Sequence, residues 1–561
     1  MQERSFVRNG KTLLSGIEPV RRAERLADNV PVKDKTLYFC PSPLYGYGLA
    51  RLLLRLEAEA PNSAILCIEA DGELYELSKK NIELSVAANK MLRITNICEA
   101  ENLCAFIDRS WGCKFRRLAP IRFTGGWQLY PELYDSLYAA IQKEIITNWS
   151  NAMTITKLGR LYMRNALRNL PLLSRFPSIA GLSFGEAPVL VLGAGPSLDE
   201  FLDSLEKHFP QTLRSNELPS SPSSRPFKII CADTCLGALK DRNIIPDLVV
   251  ILESQHWNLR DFIGCRSMEI AFAMDFSALP QSGELLCGKK YLFMTPWTPL
   301  RIFERLKQAG LLPAVIPPLG SVGLTAVELA RRLSRGKIIC AGLDFSFTAD
   351  KYHARSTPGH RSKLNTQTRL GGILNTAAFD PASFAALSKS GIPVRSNPSM
   401  QNYRELFERE FAADPRLFDI SGSGLPLGLK TLSIDEAMDS KFFTQRRKCA
   451  EGAKEEEREM NSSLPSCLHE KESKLAAFLG SENKRLEELK NILTGEASAV
   501  PAHERLNVLI NECDYLWAHF PDCAAGSRPA LEEITANSPA AISFLKRLRT
   551  EIDFALELLG L

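Results

Sequence analysis

Six short runs between residues 180 and 430 constrain the fold most: "PVLVLGA", "KIICADT", "DLVVILES", "IAFAMDF", "KYLFMTP" and "KIICAGLDF". Each is nearly continuous in apolar residues, and helical stretches separate them. A strand with one wet face alternates apolar and polar residues, whereas a strand covered on both faces does not. The pattern predicts a parallel sheet between helix layers, an α/β Rossmann-like domain over residues 179–435. Inside it, "RSNELPSSPSSRP" is rich in Ser and Pro, so residues 213–226 are expected to form a flexible surface insertion.

The flanks read differently. "KTLYFCPS" and "SAILCIEAD" enclose the helical "GLARLLLRLEAEA", which predicts a smaller N-terminal α/β domain over residues 1–130. The loop "PSPLYGYG" after its first strand suits either a packed turn or a binding loop. Residues 131–178 read as a helical connector, with Arg160, Arg164 and Arg168 on one stripe. After residue 440 the charges mix and the helical period persists, so residues 440–561 are expected to be a helical C-terminal domain. A chain of 561 residues exceeds one hydrophobic core, in keeping with this division.

Charge and cysteines exclude several classes. The balance of 69 basic and 65 acidic residues leaves no nucleic-acid footprint. No apolar run reaches the ~18 residues of a membrane span, and no signal-peptide core opens the chain. The 14 cysteines include no Cys-x-x-Cys pair. Reduced thiols, a cytoplasmic location and no dedicated metal site are the expectation.

Candidate chemistry gathers at strand ends. Gly193-Ala194-Gly195-Pro196-Ser197 follows the first central strand and opens a helix. A dinucleotide fingerprint would have glycine at Leu198, and a P-loop would have lysine, so it is neither. The glycines permit close backbone approach, Pro196 suits a first helical turn, and the helix start favours an anion. Asp233 and Thr234 end the second strand and Glu253 the third. "GSVGLTAVELARRL" places Ser321 and Gly323 at another helix start, and Asp344 ends the strand that follows. In an open α/β sheet such ends converge on one crevice. Beyond Asp344 comes "DKYHARSTPGHRSK", with Tyr352 and two candidate general bases, His353 and His360.

These stretches resemble a known family. "VLGAGPSLDE", "IICADTCLGALKDRNIIPDLVVILES" and "GSVGLTAVELARRLSRGKIICAGLDFSF" look like the central domain of motility accessory factor (Maf) flagellin glycosyltransferases. That domain is shared with MptE-like 6-hydroxymethylpterin pyrophosphokinases, and is similar to bacterial sialyltransferases that use CMP-sialic acid. The resemblance covers residues 10 to 430. It implies a nucleotide site at Gly193 to Leu198, Ser321 to Gly323 and Asp344, with Tyr352 on the leaving phosphate. The sialyltransferases have asparagine where this chain has Ala194 and Asp233, and tyrosine at Ser346. Their histidine base lies further along, so the base does not transfer.

The implied activity is inverting, metal-independent transfer of a nonulosonic acid from its CMP-sugar to Ser or Thr of flagellin. The donor is a substrate, and no cofactor is expected. One alternative is ATP-dependent pyrophosphoryl transfer to a pterin, with Mg²⁺ on Asp233, Glu253 or Asp344. Another is a flagellin-binding factor without catalysis.

Overall fold

The computed structural model describes residues 6–8, 10–14, 16–85, 89–209, 225–372, 375–439, 464–494, 502–524 and 538–559. Its contacts divide the chain into two compact units, Met1–Arg160 with Trp517–Phe544, and Leu161–Leu516 with Leu545–Leu561. The division at residue 160 falls inside the 39-residue helix Pro131–Asn169, which makes up most of the expected connector. The expected C-terminal segment contributes to both units. "KEEEREMN" and residues 213–224 of the expected insertion lie outside the described residues. Arg225, at the end of that insertion, pairs with Asp247 at 2.8 Å.

In the first unit, β1 (Phe6–Arg8) and β2 (Lys11–Leu14) form an antiparallel hairpin. Strands β3 (Thr36–Pro41), β4 (Ala64–Ile68), β5 (Leu92–Thr95) and β6 (Arg117–Pro120) form a parallel sheet in the order β5-β4-β3-β6. Alternate residues of β3 feed two cores. Tyr38 and Cys40 join the layer of helix Leu49–Glu59, while Leu37 and Phe39 join that of helix Ala100–Trp111. This is why β3 has no polar face. Residues 41–48, the loop "PSPLYGYG", are buried throughout. Gly48 has φ +83°, and a Cβ there would stand 2.7 Å from the Ala23 carbonyl oxygen. The glycine serves packing, and the loop is a packed turn.

The second unit is built on a nine-stranded sheet, and every neighbouring pair in it is parallel. Its strands are β7 (Val189–Leu192), β8 (Lys228–Ala232), β9 (Leu248–Ile251), β10 (Phe272–Asp275), β11 (Lys290–Met294), β12 (Ala314–Val315), β13 (Ile338–Ala341), β16 (Leu417–Ile420) and β17 (Lys430–Leu432). A separate hairpin pairs β14 (Phe384–Leu387) with β15 (Pro393–Ser396). The six apolar runs are β7 to β11 and β13, and β7, β9 and β10 are buried along their whole length. Helix Val322–Leu333 covers one face with Leu324, Val327 and Leu329 at 0% exposure.

The sheet order is β12-β11-β10-β9-β8-β7-β13-β16-β17. The chain steps outward from β7 to β12, then returns to lay β13 on the other side of β7. That reversal is a topological switch point, the place where open α/β sheets commonly bind their ligands. Helices Leu464–Thr494 and Ala502–Glu512 pack in this unit, with the Glu482 carboxylate clasped by Arg305 and Arg485, each at 2.6 Å. Among the described residues no helix is long and apolar enough to cross a membrane.

Candidate active site at the switch point

Two loops meet where β7 and β13 end. The Gly193 N–H donates to the Ala341 carbonyl and the Gly195 N–H to that of Gly342, each at 2.8 Å. A Cβ on Gly193 would lie 2.5 Å from the Gly342 oxygen, and one on Gly342 2.2 Å from that of Gly193. The glycines are required by this backbone-to-backbone contact. Gly342 also has φ +68°, a conformation that costs an L-residue about 1–2 kcal/mol before any clash. Gly342→Ala is expected to lose more than about 2 kcal/mol of stability, read as a lower urea midpoint.

Asp344 completes the junction. It is 2% exposed, and it accepts from the Ser197 N–H at 2.7 Å and from Ser197 Oγ at 2.5 Å. Its charge lies at the start of helix Leu198–His208, where the helix dipole favours an anion. Three donors of the Gly193–Ser197 turn are satisfied within the chain, Gly193 by Ala341, Gly195 by Gly342 and Ser197 by Asp344; Pro196 has none, and the Ala194 N–H meets no acceptor among the described residues. The anion at this helix start is the protein's own carboxylate.

The second turn stands on the same spot. Leu343 Cδ2 would lie 2.5 Å from a Cβ on Gly193 and 2.6 Å from one on Gly323. This side chain joins the two glycine turns. Ser321 accepts the Thr325 N–H through its carbonyl and caps the helix without a side-chain bond. Among the described residues the N–H groups of Val322, Gly323 and Leu324 meet no acceptor, so this helix start is open.

The histidine loop is tied to the first turn. The Ala354 N–H donates to the Ala194 carbonyl at 2.9 Å. Asp199, 2% exposed in the first turn of helix Leu198–His208, takes Lys351 Nζ at 3.1 Å and the Arg355 N–H at 3.0 Å. These anchors bracket Tyr352 and His353. The Tyr352 ring stacks on Phe347 at 5.1 Å and meets the His353 ring edge-on at 4.8 Å. Burial pushes the Tyr352 hydroxyl above its ordinary value, and the neighbouring Asn397 side chain opposes the rise.

The two histidines differ. Burial pushes His353 down to about 4, and neighbouring Lys363 adds to the effect, so the ring is neutral across the physiological range. No hydrogen bond engages its nitrogens among the described residues. His360 Nδ1 accepts the Ser356 N–H at 3.2 Å. Neutral His360 must then carry its proton on Nε2, and that nitrogen is a donor. Of the two, His353 is the one free to accept a proton.

Asp233, Thr234 and Glu253 lie at the ends of β8 and β9 with partners of their own. Asp233 is 3% exposed, accepting from Asn258 Nδ2 at 2.7 Å and from the Thr234 N–H at 2.8 Å. Glu253 accepts the Gln255 N–H at 2.9 Å. Asn258 also donates to Asp261 at 3.2 Å. Burial and the Asp233 charge push Asp261 up to about 8. Among the described residues no three His, Cys, Asp or Glu side chains are placed to hold a metal ion.

A carboxyl raised in the native state binds more protons folded than unfolded, so stability falls as pH rises. For Asp261 the window runs from the ordinary value of 3.8 to about 8. Urea midpoints at pH 5 and pH 8 are expected to show this fall, and Asp261→Asn to lessen it, since burial pushes Glu69 and Asp233 up as well.

Sequence reasoning missed Asp199, Tyr403 and Lys389. Asp199 was visible, directly after Gly-Pro-Ser in "GPSLDE". Tyr403, on helix Pro398–Phe411, would lie 3.1 Å from a Cβ on Gly320, beside the open helix start. Lys389 is 5% exposed and bonds Asp419 at 2.6 Å, lending its charge to Asp344. Both are remote from the motifs in sequence and carry no local signal.

A doubly wound parallel sheet with paired glycine turns and a tyrosine–histidine loop at its switch point defines a Rossmann-like α/β protein. Residues 164–350 match the family model of the 6-hydroxymethylpterin diphosphokinase MptE-like proteins. The solved structure of a Maf glycosyltransferase from Magnetospirillum magneticum AMB-1 superposes with a TM-score of 0.54 at 13% identity, over 99% of this chain and 89% of that one. A Treponema pallidum (strain Nichols) protein, described as uncharacterized, is 29% identical over 555 residues, 96% of this chain and 90% of its own. The chain thus carries an MptE-like domain within a Maf-like fold, as the sequence resemblance implied.

Proposed function

We propose that the chain is a glycosyltransferase moving a nonulosonic acid from its CMP-sugar to a Ser or Thr hydroxyl of flagellin. The observation that carries this reading is the meeting of both glycine turns, Asp344 and the Tyr352–His353 loop at one switch point. The fold likeness to a Maf glycosyltransferase supports it.

In this mechanism the acceptor hydroxyl attacks the anomeric carbon while the bond to the CMP phosphate breaks. Negative charge grows on the phosphate as it leaves. The open N–H groups of Val322, Gly323 and Leu324 are fixed dipoles suited to that charge, with the Tyr352 hydroxyl as a further donor. His353, neutral and without a hydrogen bond among the described residues, takes the acceptor's proton. Asp344 holds the Gly193–Ser197 turn in place and leaves the phosphate to the second helix start. His360 serves as a donor.

The MptE-like match favours a second reading, pyrophosphoryl transfer from ATP to a pterin. That chemistry uses Mg²⁺, and the residues present do not fit the ion. Asp233 is committed to Asn258 and Thr234, Asp344 to Ser197, and Glu253 to Gln255.

The deciding measurement is the intact mass of flagellin co-expressed with and without this chain. A mass increase of one nonulosonic acid residue per occupied site supports transfer. An unchanged mass, together with calorimetric binding of ATP–Mg²⁺ and none of CMP, would sink it. Flagellin binding with no mass increase would leave a non-catalytic flagellin-binding factor.

A further inference from the structure

The hairpin of β14 and β15 is bound to the candidate site along one edge and open along the other. Arg395 of β15 exchanges both backbone hydrogen bonds with Phe347, N–H to carbonyl at 3.0 Å and carbonyl to N–H at 2.9 Å. Phe347 is the ring on which Tyr352 stacks. Because Arg395 directs both backbone groups toward Phe347, its pairing with Ala385 across the hairpin is of the non-hydrogen-bonded kind. The Ser388 N–H bond to the Ile392 carbonyl, 2.9 Å, sets the same alternation from the turn end. It makes Leu387 opposite Pro393 non-hydrogen-bonded as well. The N–H and C=O groups of Ala385 and Leu387 therefore point away from β15, and among the described residues nothing meets them.

This edge carries neither charge nor proline, and only its length of four residues limits it. Exposed edge strands are normally blunted by charge, proline or a covering segment, because they pair with whatever strand they meet. Here the strand reads Phe-Ala-Ala-Leu. Phe384, Leu387 and Ile392 are 38%, 64% and 55% exposed. Alternating donors and acceptors at strand spacing are complementary to another extended backbone, and the apolar side chains suit its uncharged residues.

We propose that the free edge of β14 docks an extended segment of the polypeptide acceptor by adding it as a third strand. The inference rests on the transferase reading, which requires a protein acceptor beside Tyr352 and His353. Two strand spacings, about 10 Å, separate the open edge from Phe347. A docked segment lies one spacing further out, about 14 Å from Phe347, a reach of four or five extended residues at about 3.3 Å each.

The test uses the full chain, unglycosylated flagellin and CMP-nonulosonate, with Ala385→Pro, Leu387→Lys and the distant control Val508→Lys. Proline at 385 removes one outward donor and leaves the hairpin's own bonds intact. Leu387→Lys keeps the backbone and adds charge. Flagellin affinity is expected to fall about tenfold in each edge variant, with CMP release in the absence of flagellin within twofold of the parent. Val508→Lys is expected to match the parent in both. Flagellin affinity within twofold of the parent in both edge variants overturns the docking edge. Absence of both CMP release and transfer in the parent overturns the transferase reading, while loss of flagellin binding in the edge variants still upholds the edge. Sedimentation showing that Leu387→Lys splits a dimer, with flagellin affinity unchanged, assigns the edge to a second copy and overturns the proposal.

Discussion

His353→Ala is expected to slow sugar transfer by 10²- to 10⁴-fold, the range over which a positioned general base acts. Unfolding midpoints should fall only modestly, because the imidazole makes no hydrogen bond among the described residues and gives up a ring contact with Tyr352. His360→Gln should be milder, since the glutamine amide can replace the donor that His360 supplies. The pH profile gives an independent readout. With His353 pushed down to about 4, protonation removes the base only as pH falls through that value. Transfer is expected to hold steady from pH 8 to pH 5 and fall below it. A profile that declines around pH 6.5 would point to an unperturbed histidine. Rapid-quench assays of flagellin modification at saturating donor supply the rates.

Asp199→Ala is the second large effect. The carboxylate is buried, and Lys351, Arg355 and Arg242 surround it at 3.1, 3.4 and 3.6 Å. Removing it leaves the enclosed Arg242 and the Arg355 N–H with less compensation. Arg242 keeps Asp203 at 2.9 Å, and Lys351 and Arg355 are partly exposed, so the loss is expected at about 1–3 kcal/mol, the cost of donors left short of a partner. Activity should fall further than stability explains, because the same carboxylate holds both ends of the segment carrying Tyr352 and His353. A displacement of about 1 Å costs on the order of 100-fold in rate. Asp199→Asn keeps an acceptor for the Arg355 N–H and is expected to recover part of both losses. Urea denaturation and transfer assays on the same preparations separate the two components. Parent-like rates in a folded Asp199→Ala variant would remove the positioning role.

Much of the fold was legible because burial on both faces leaves a plain mark. The strands β7 to β11 and β13 are apolar runs that no exposed strand would carry. The strands that escaped reading are short or polar. β12 has two residues, β17 has three, and β16 carries Asp419 in its middle. In the first unit, β5 and β6 have partly exposed patterns and lack the continuous apolar mark. "PSPLYGYG" shows the ambiguity of glycine, since a packed turn and a ligand loop need the same residue for the same steric reason.

The site divides in the same way. The sequence alone determined that two glycine turns, an aspartate at a strand end and a tyrosine–histidine segment follow buried strands, because strand ends and helix starts have local chemical signatures. It also carried the resemblance to Maf-like chains. Only the tertiary structure decided that β13 returns beside β7, which brings those turns together around Leu343. It also decided how the donors are used: Ser197 to Asp344, Gly195 to Gly342, and the start of helix Val322–Leu333 to none among the described residues. Spacing along a chain states which groups are present. Whether an N–H faces a carbonyl, a carboxylate or an open crevice depends on what another segment, about 150 residues away, sets against it.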